Sequence, residues 1–62
     1  MKEVPVHTIF GIYSGMIPFN GTQKFLGHDK IAGRWVALDC VKGRCQVEYF
    51  KERTDAERWL SS

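Results

Sequence analysis

Residues 35–50 can pair as strands in one register only, and this constrains the chain more than any other feature. A two-residue turn at Lys42-Gly43 sets Val41 opposite Arg44, Cys40 opposite Cys45, Leu38 opposite Val47 and Val36 opposite Tyr49. The face carrying Val36, Leu38, Cys40, Cys45, Val47 and Tyr49 is then apolar throughout. The other face pairs Trp35 with Phe50, Ala37 with Glu48 and Asp39 with Gln46. A slip by one residue would mix the two sets, because side chains alternate between faces with a period of two. Turn and pattern therefore agree on one hairpin.

The remaining segments are short. Six glycines and two prolines punctuate the 62 residues, which favours strands over long helices. In residues 4–13, Val4, Val6, Phe10 and Ile12 share one parity. This predicts a strand with one buried face, and Pro5 places it at a sheet edge. Asn20-Gly21 is a hairpin signal and predicts pairing of residues 16–19 with 22–25. Gly27-His28-Asp29 reads as a loop.

After Phe50 the period changes. Thr54-Asp55-Ala56-Glu57 is a capping box, and Ala56, Trp59 and Leu60 follow on one helix face. So short a helix is not stable alone in water, so it must dock, with Trp59 and Leu60 as anchors. Phe10, Tyr49 and Trp59 are the expected core aromatics. The expected fold is α+β: a single small globular domain over residues 1–62, with an antiparallel sheet of four or five short strands and one short C-terminal helix. A small SH3-like or OB-like barrel is the alternative.

Nine Lys+Arg against seven Asp+Glu give a net charge of +2. The pI is about 8.7. Dedicated nucleic-acid domains usually lie above a pI of about 9, with their basic residues on one face. Here the signs are interleaved along the chain. No apolar run reaches the ~18 residues of a membrane span. Met1-Lys2-Glu3-Val4-Pro5 has no signal-peptide core. A cytoplasmic setting is expected.

In that compartment Cys40 and Cys45 are expected as small core thiols. Their cross-strand placement also suits a disulfide. Zinc ligation by Cys40, Cys45, His7 and His28 would need a spacing that matches no finger pattern. Neither metal nor cofactor is expected. The chain has no Gly-rich phosphate loop, nucleophile elbow or paired-carboxylate motif, so enzymatic activity is not expected.

Trp35 and Phe50 stand out because they lie on the polar face of the hairpin. Either another segment covers them, or they form an exposed anchor flanked by Arg34, Lys51 and Arg44. Trp and Arg are enriched at the energetic centres of protein interfaces. The same set suits nucleic acid, by stacking plus phosphate contact.

From Gly33 onward the chain resembles the arm-type DNA-binding domains of phage and transposon tyrosine recombinases. The matching residues are Gly33-Arg34-Trp35, the turn at Gly43, Tyr49-Phe50 and Thr54-Asp55-Ala56-Glu57-Arg58-Trp59-Leu60. The resemblance implies a small sheet against one helix, with the sheet reading the major groove. It further implies Arg34, Lys42, Arg44 and Lys51 as DNA contacts. Asp39 and Glu48 depart from the family pattern on the face that would meet phosphate.

The function expected from these observations is a small non-enzymatic binding protein, a regulator or inhibitor of phage or mobile-element type. It would occupy a surface of a larger protein partner through Trp35, Phe50, Arg34, Lys51, Arg44 and Lys42. A DNA- or RNA-binding protein using the sheet face around Trp35 and Phe50 is the alternative. Pairing of two copies through an edge strand is also open.

Overall fold

The turn at Lys42-Gly43 forms as the pattern requires. Both residues take positive φ, 52° and 82°. Paired positive φ values match the twist of a tight hairpin. In the computed structural model, which describes residues 1–62, strands β3 (Arg34–Val41) and β4 (Arg44–Phe50) flank this turn. They pair from Val41 opposite Arg44 to Trp35 opposite Phe50, the register expected.

The Asn20-Gly21 hairpin does not form. Residues 23–29 pair with β3 instead, as strand β2 (Gln23–Asp29). Both edges of β2 are then occupied, one by β3 and the other, at Phe25 and Leu26, by the N-terminal residues Lys2 and Glu3. Pairing β2 with β3 aligns seven residues, from Gln23 opposite Cys40 to Asp29 opposite Arg34. The expected hairpin offered four, one of them Pro18 without an N–H. Gly27-His28-Asp29 is therefore strand, and the β2–β3 turn falls at 30–33. Gly33 there takes φ 67°, and the Ala32 N–H donates to Asp29 Oδ1 at 3.1 Å. The Asn20-Gly21 segment straps the other turn: the Gly43 N–H donates to the Gly21 carbonyl at 3.0 Å, and the Lys42 N–H to Thr22 Oγ1 at 3.0 Å.

The N-terminal segment is mostly helix, not strand. Strand β1 (Lys2–Glu3) is followed by helix α1 (Val6–Ser14). The apolar residues here satisfy two periods at once. Val4, Val6, Phe10 and Ile12 alternate, but Val6, Ile9, Phe10 and Tyr13 recur at helical spacing. Pro5 lacks an N–H, which costs nothing at a helix entry. Gly15, at φ 87°, ends the helix and donates its N–H to the Ile12 carbonyl at 3.2 Å.

The sheet is open, in the order β1-β2-β3-β4, with only β1–β2 parallel. It does not close into a barrel. One face packs Phe25, Val36, Leu38 and Cys40 against Ile9 of α1. The other packs Leu26 and Ala37 against Ala56 and Leu60 of helix α2 (Arg53–Ser61). Helix α2 starts one residue before the expected capping box. Glu52 is its N-cap with no side-chain hydrogen bond, and Glu57 accepts from Arg53 Nε at 2.9 Å instead of reaching back to Thr54.

Four core expectations change. Tyr49 is 41% exposed on the edge strand, and Phe10 and Trp59 are only half-buried. Cys40 and Cys45 are joined by a disulfide rather than held as thiols, with Cα atoms 4.0 Å apart. They face each other at a non-hydrogen-bonded site, where antiparallel strands approach most closely.

Two stability predictions follow from this packing. A Cβ added at Gly27 would lie 2.9 Å from Ile9 Cδ1 and 3.0 Å from the Val4 carbonyl oxygen. Gly27→Ala should destabilise by about 1–3 kcal/mol, as overpacking does, although alanine is normally the better residue in a strand. A urea midpoint at or above that of wild type would contradict it. Leu60 is 2% exposed and Trp59 is not fully covered. Leu60→Ala should therefore cost about 2–5 kcal/mol and exceed Trp59→Ala. Denaturant titration of the two variants checks the order.

Candidate functional site

The sheet end opposite the Lys42-Gly43 turn gathers most of the chemistry-bearing side chains. His28, Trp35 and Phe50 are adjacent on β2, β3 and β4 and share the α2 side. The His28 and Trp35 rings stack 4.2 Å apart at 9°. The Phe50 and Trp59 rings lie 6.1 Å apart. Arg53, in the first turn of α2, places its guanidinium 5.1 Å from the Trp35 ring centre.

Arg53 also joins three elements. Its Nη1 and Nη2 donate to the two carboxylate oxygens of Glu3 at 2.9 and 2.7 Å, and its Nε donates to Glu57 at 2.9 Å. Bidentate pairing of this kind is geometrically specific. The hydrogen bonds from Arg53 hold the Glu3 carboxyl below its ordinary value, with desolvation opposing them and the charge of Arg53 adding to them. The bonds that Arg53 donates, to Glu3 first and to Glu57 second, raise Arg53 above its ordinary value.

The other side of the sheet end holds Arg34 and Tyr49. The Arg34 guanidinium sits 4.1 Å from the Tyr49 ring centre, and its Nε lies 3.8 Å from Asp29 Oδ2. The turn between β2 and β3 presents Ile31, which is fully exposed, beside exposed Lys30. Lys51 is exposed directly after Phe50.

Of the six residues expected to bind a partner, four meet at this end: Arg34, Trp35, Phe50 and Lys51. They do not share a face. Trp35 and Phe50 pack against the α2 cluster and are half-buried, whereas Arg34 faces the α1 side. Lys42 and Arg44 lie at the opposite end of the hairpin, about 20 Å along the strands. His28, Arg53 and Ile31 belong to this end but were not legible as such. His28 reads as a loop residue until β2 is known. Arg53 becomes a junction only when α2 docks on the sheet and the Arg53 side chain reaches Glu3 of β1. Ile31 carries a signal of its own, an isolated isoleucine between Lys30 and Gly33 in a turn.

A second exposed apolar group lies on and after α1: Tyr13, Met16 and Ile17. Residues 4–23 contain no Asp, Glu, Lys or Arg, and that charge-free run is the signal for it. No group of three or more His, Cys, Asp or Glu side chains is arranged to hold a metal ion.

The Glu3–Arg53 pair makes stability depend on pH. Glu3 is less easily protonated in the folded than in the unfolded state. Its contribution is therefore present above the ordinary carboxylate pKa and lost as pH falls through the folded value. Wild type should be more stable than Glu3→Gln at neutral pH and low salt, and the two should converge in acid. The difference should be small, because both groups stand in solvent and salt screens them. Parallel thermal melts across the acid range would expose a difference that persists, which the pairing does not allow.

Comparison with protein-family models, with curated proteins and with solved structures finds no match to this chain.

Proposed function

We propose that this chain is a small non-enzymatic binding module, a regulator or inhibitor of phage or mobile-element type, that occupies a surface of a larger protein. The observation carrying this reading is Ile31, fully exposed at the same sheet end as the Arg34–Tyr49 pair. Tyrosine and arginine are enriched at the centres of protein interfaces, and Ile31 adds exposed apolar area at the same sheet end. The Arg34 guanidinium lies over the Tyr49 ring, and its buried Nε, 3.8 Å from Asp29 Oδ2, has no hydrogen-bond partner within the chain.

The nucleic-acid alternative uses the sheet face around Trp35 and Phe50, and it carries the resemblance to arm-type domains. Two observations weigh against it. The α2 helix packs on that face. Several basic residues are also paired within the chain: Lys24 with Asp39, Arg34 with Asp29, Arg53 with Glu3 and Glu57, and Arg58 with Asp55. Each such pair must be broken or shared before the cation can neutralise a phosphate.

No helix is long and apolar enough to cross a membrane. The reading includes a cytoplasmic setting, in which cellular reductants favour thiols at Cys40 and Cys45. The disulfide weighs the other way, because such bonds persist in oxidising compartments.

Two measurements separate the alternatives. Fluorescence anisotropy with labelled duplex and single-stranded DNA, at about 50 and 200 mM salt, should show no binding that falls steeply between them. Such binding would move the assignment to nucleic acid. Affinity capture with wild type and Ile31→Asp should then recover a protein that the variant loses, with affinity reduced at least about tenfold. Equal capture by both would remove this sheet end from the interface.

A further inference from the structure

Strand β4 is the long free edge of the sheet. It runs seven residues and ends the strand order, and no backbone group bonds to it from outside. Beside a two-residue turn, the first pair of residues exchanges both backbone hydrogen bonds, and every second pair after it does the same. Arg44, Gln46, Glu48 and Phe50 therefore bond to β3, while Cys45, Val47 and Tyr49 direct their N–H and C=O groups outward. The Tyr49 N–H accordingly donates to its neighbour's side chain, Glu48 Oε1, at 3.2 Å.

The two edges are built differently. Strand β1 is two residues long and Pro5 follows it closely. Short length and proline are ordinary protections against edge-to-edge pairing. Between Arg44 and Phe50 there is no proline, no lysine and no break in register.

We propose that β4 is the interface for a second copy of this chain, whose own β4 adds antiparallel across a two-fold axis at Gln46. Outward groups must meet outward groups, so the axis passes through a residue and not between two. Charge selects which residue. With the axis at Gln46, Arg44 stands opposite Glu48 of the partner subunit, and symmetry repeats the pair. Opposite charges directly across a strand pair are favourable. With the axis at Glu48, two carboxylates would face each other, which is unfavourable. With the axis at Val47, Arg44 would face Phe50 and no ion pair would form.

The chosen register pairs Cys45 with Val47 of the partner subunit. Each of these two residues donates its N–H to the other's carbonyl, and symmetry doubles the set. The result is one continuous sheet through both copies, with the two α1 helices on one side and the two α2 helices on the other. An interface of this kind lies at the small end of the range for specific contacts, so the association is weak and depends on concentration. It shares Tyr49 with the sheet end proposed to meet a larger protein but includes neither Ile31 nor Arg34, and either assignment stands without the other.

Sedimentation equilibrium from about 10 μM to 1 mM tests it. The wild-type mass should rise from 7.1 kDa toward twice that value. Arg44 and Glu48 are both exposed, so reversing either charge leaves the core intact. Arg44→Glu alone and Glu48→Arg alone should each weaken dimerisation about tenfold or more. The double variant Arg44→Glu/Glu48→Arg should restore it. A wild-type mass that stays at one copy throughout overturns the proposal. So do single reversals that associate as wild type does, or a double variant that fails to recover.

Discussion

The structure depends on burying β3 on both faces. Val36, Ala37 and Leu38 are consecutive and fully buried. Alternation sends Val36 and Leu38 to one side and Ala37 to the other. A strand buried on both faces needs a cover on each, and a chain of 62 residues has little to spare. Helix α1 covers the first side through Ile9, and α2 covers the second through Ala56 and Leu60. Neither helix is long enough to persist alone, at nine residues each. Helices and sheet are thus mutually dependent, and the fold is expected to form as one cooperative unit.

The second cover explains the electrostatics. Bringing α2 onto the sheet sets Arg53 beside β1, and the resulting contacts with Glu3 and Glu57 tie the first strand, the last helix and the face of Trp35 together. Lys24 and Arg34 likewise meet carboxylates across strands. Four of the nine cations, Lys24, Arg34, Arg53 and Arg58, are therefore engaged within the molecule, and Lys2, Lys30, Lys42, Arg44 and Lys51 are not. Beside those free charges, the features left for recognition are Ile31 at one sheet end, the Tyr13, Met16 and Ile17 group by α1, and the backbone of β4.

Particular residues show why some of this was legible and some was not. The β3–β4 hairpin was legible because turn and alternation act over a few residues and each excludes a register slip. The N-terminal helix was not, because Val6 and Phe10 fit both strand and helix periods, and burial of Ile9 against Gly27 decides between them. Asn20-Gly21 has the local chemistry of a turn, yet β2 gains a longer partner in β3, and the dipeptide is left to brace the neighbouring turn at Gly43. The capping box at Thr54 gave way to Arg53, whose side chain finds Glu57 and Glu3 at once.

The sequence alone determined the α+β class, the hairpin register from Trp35–Phe50 to Val41–Arg44, and the apolar stripe of Ala56 and Leu60. These follow from forces that act between near neighbours. Tertiary structure alone decided that a second helix covers the first sheet face, that β2 pairs along β3 with β1 on its other edge, and that Arg53 meets Glu3. Those outcomes compare contacts between distant segments, and burial of one shared strand, which no local pattern encodes, ranks them.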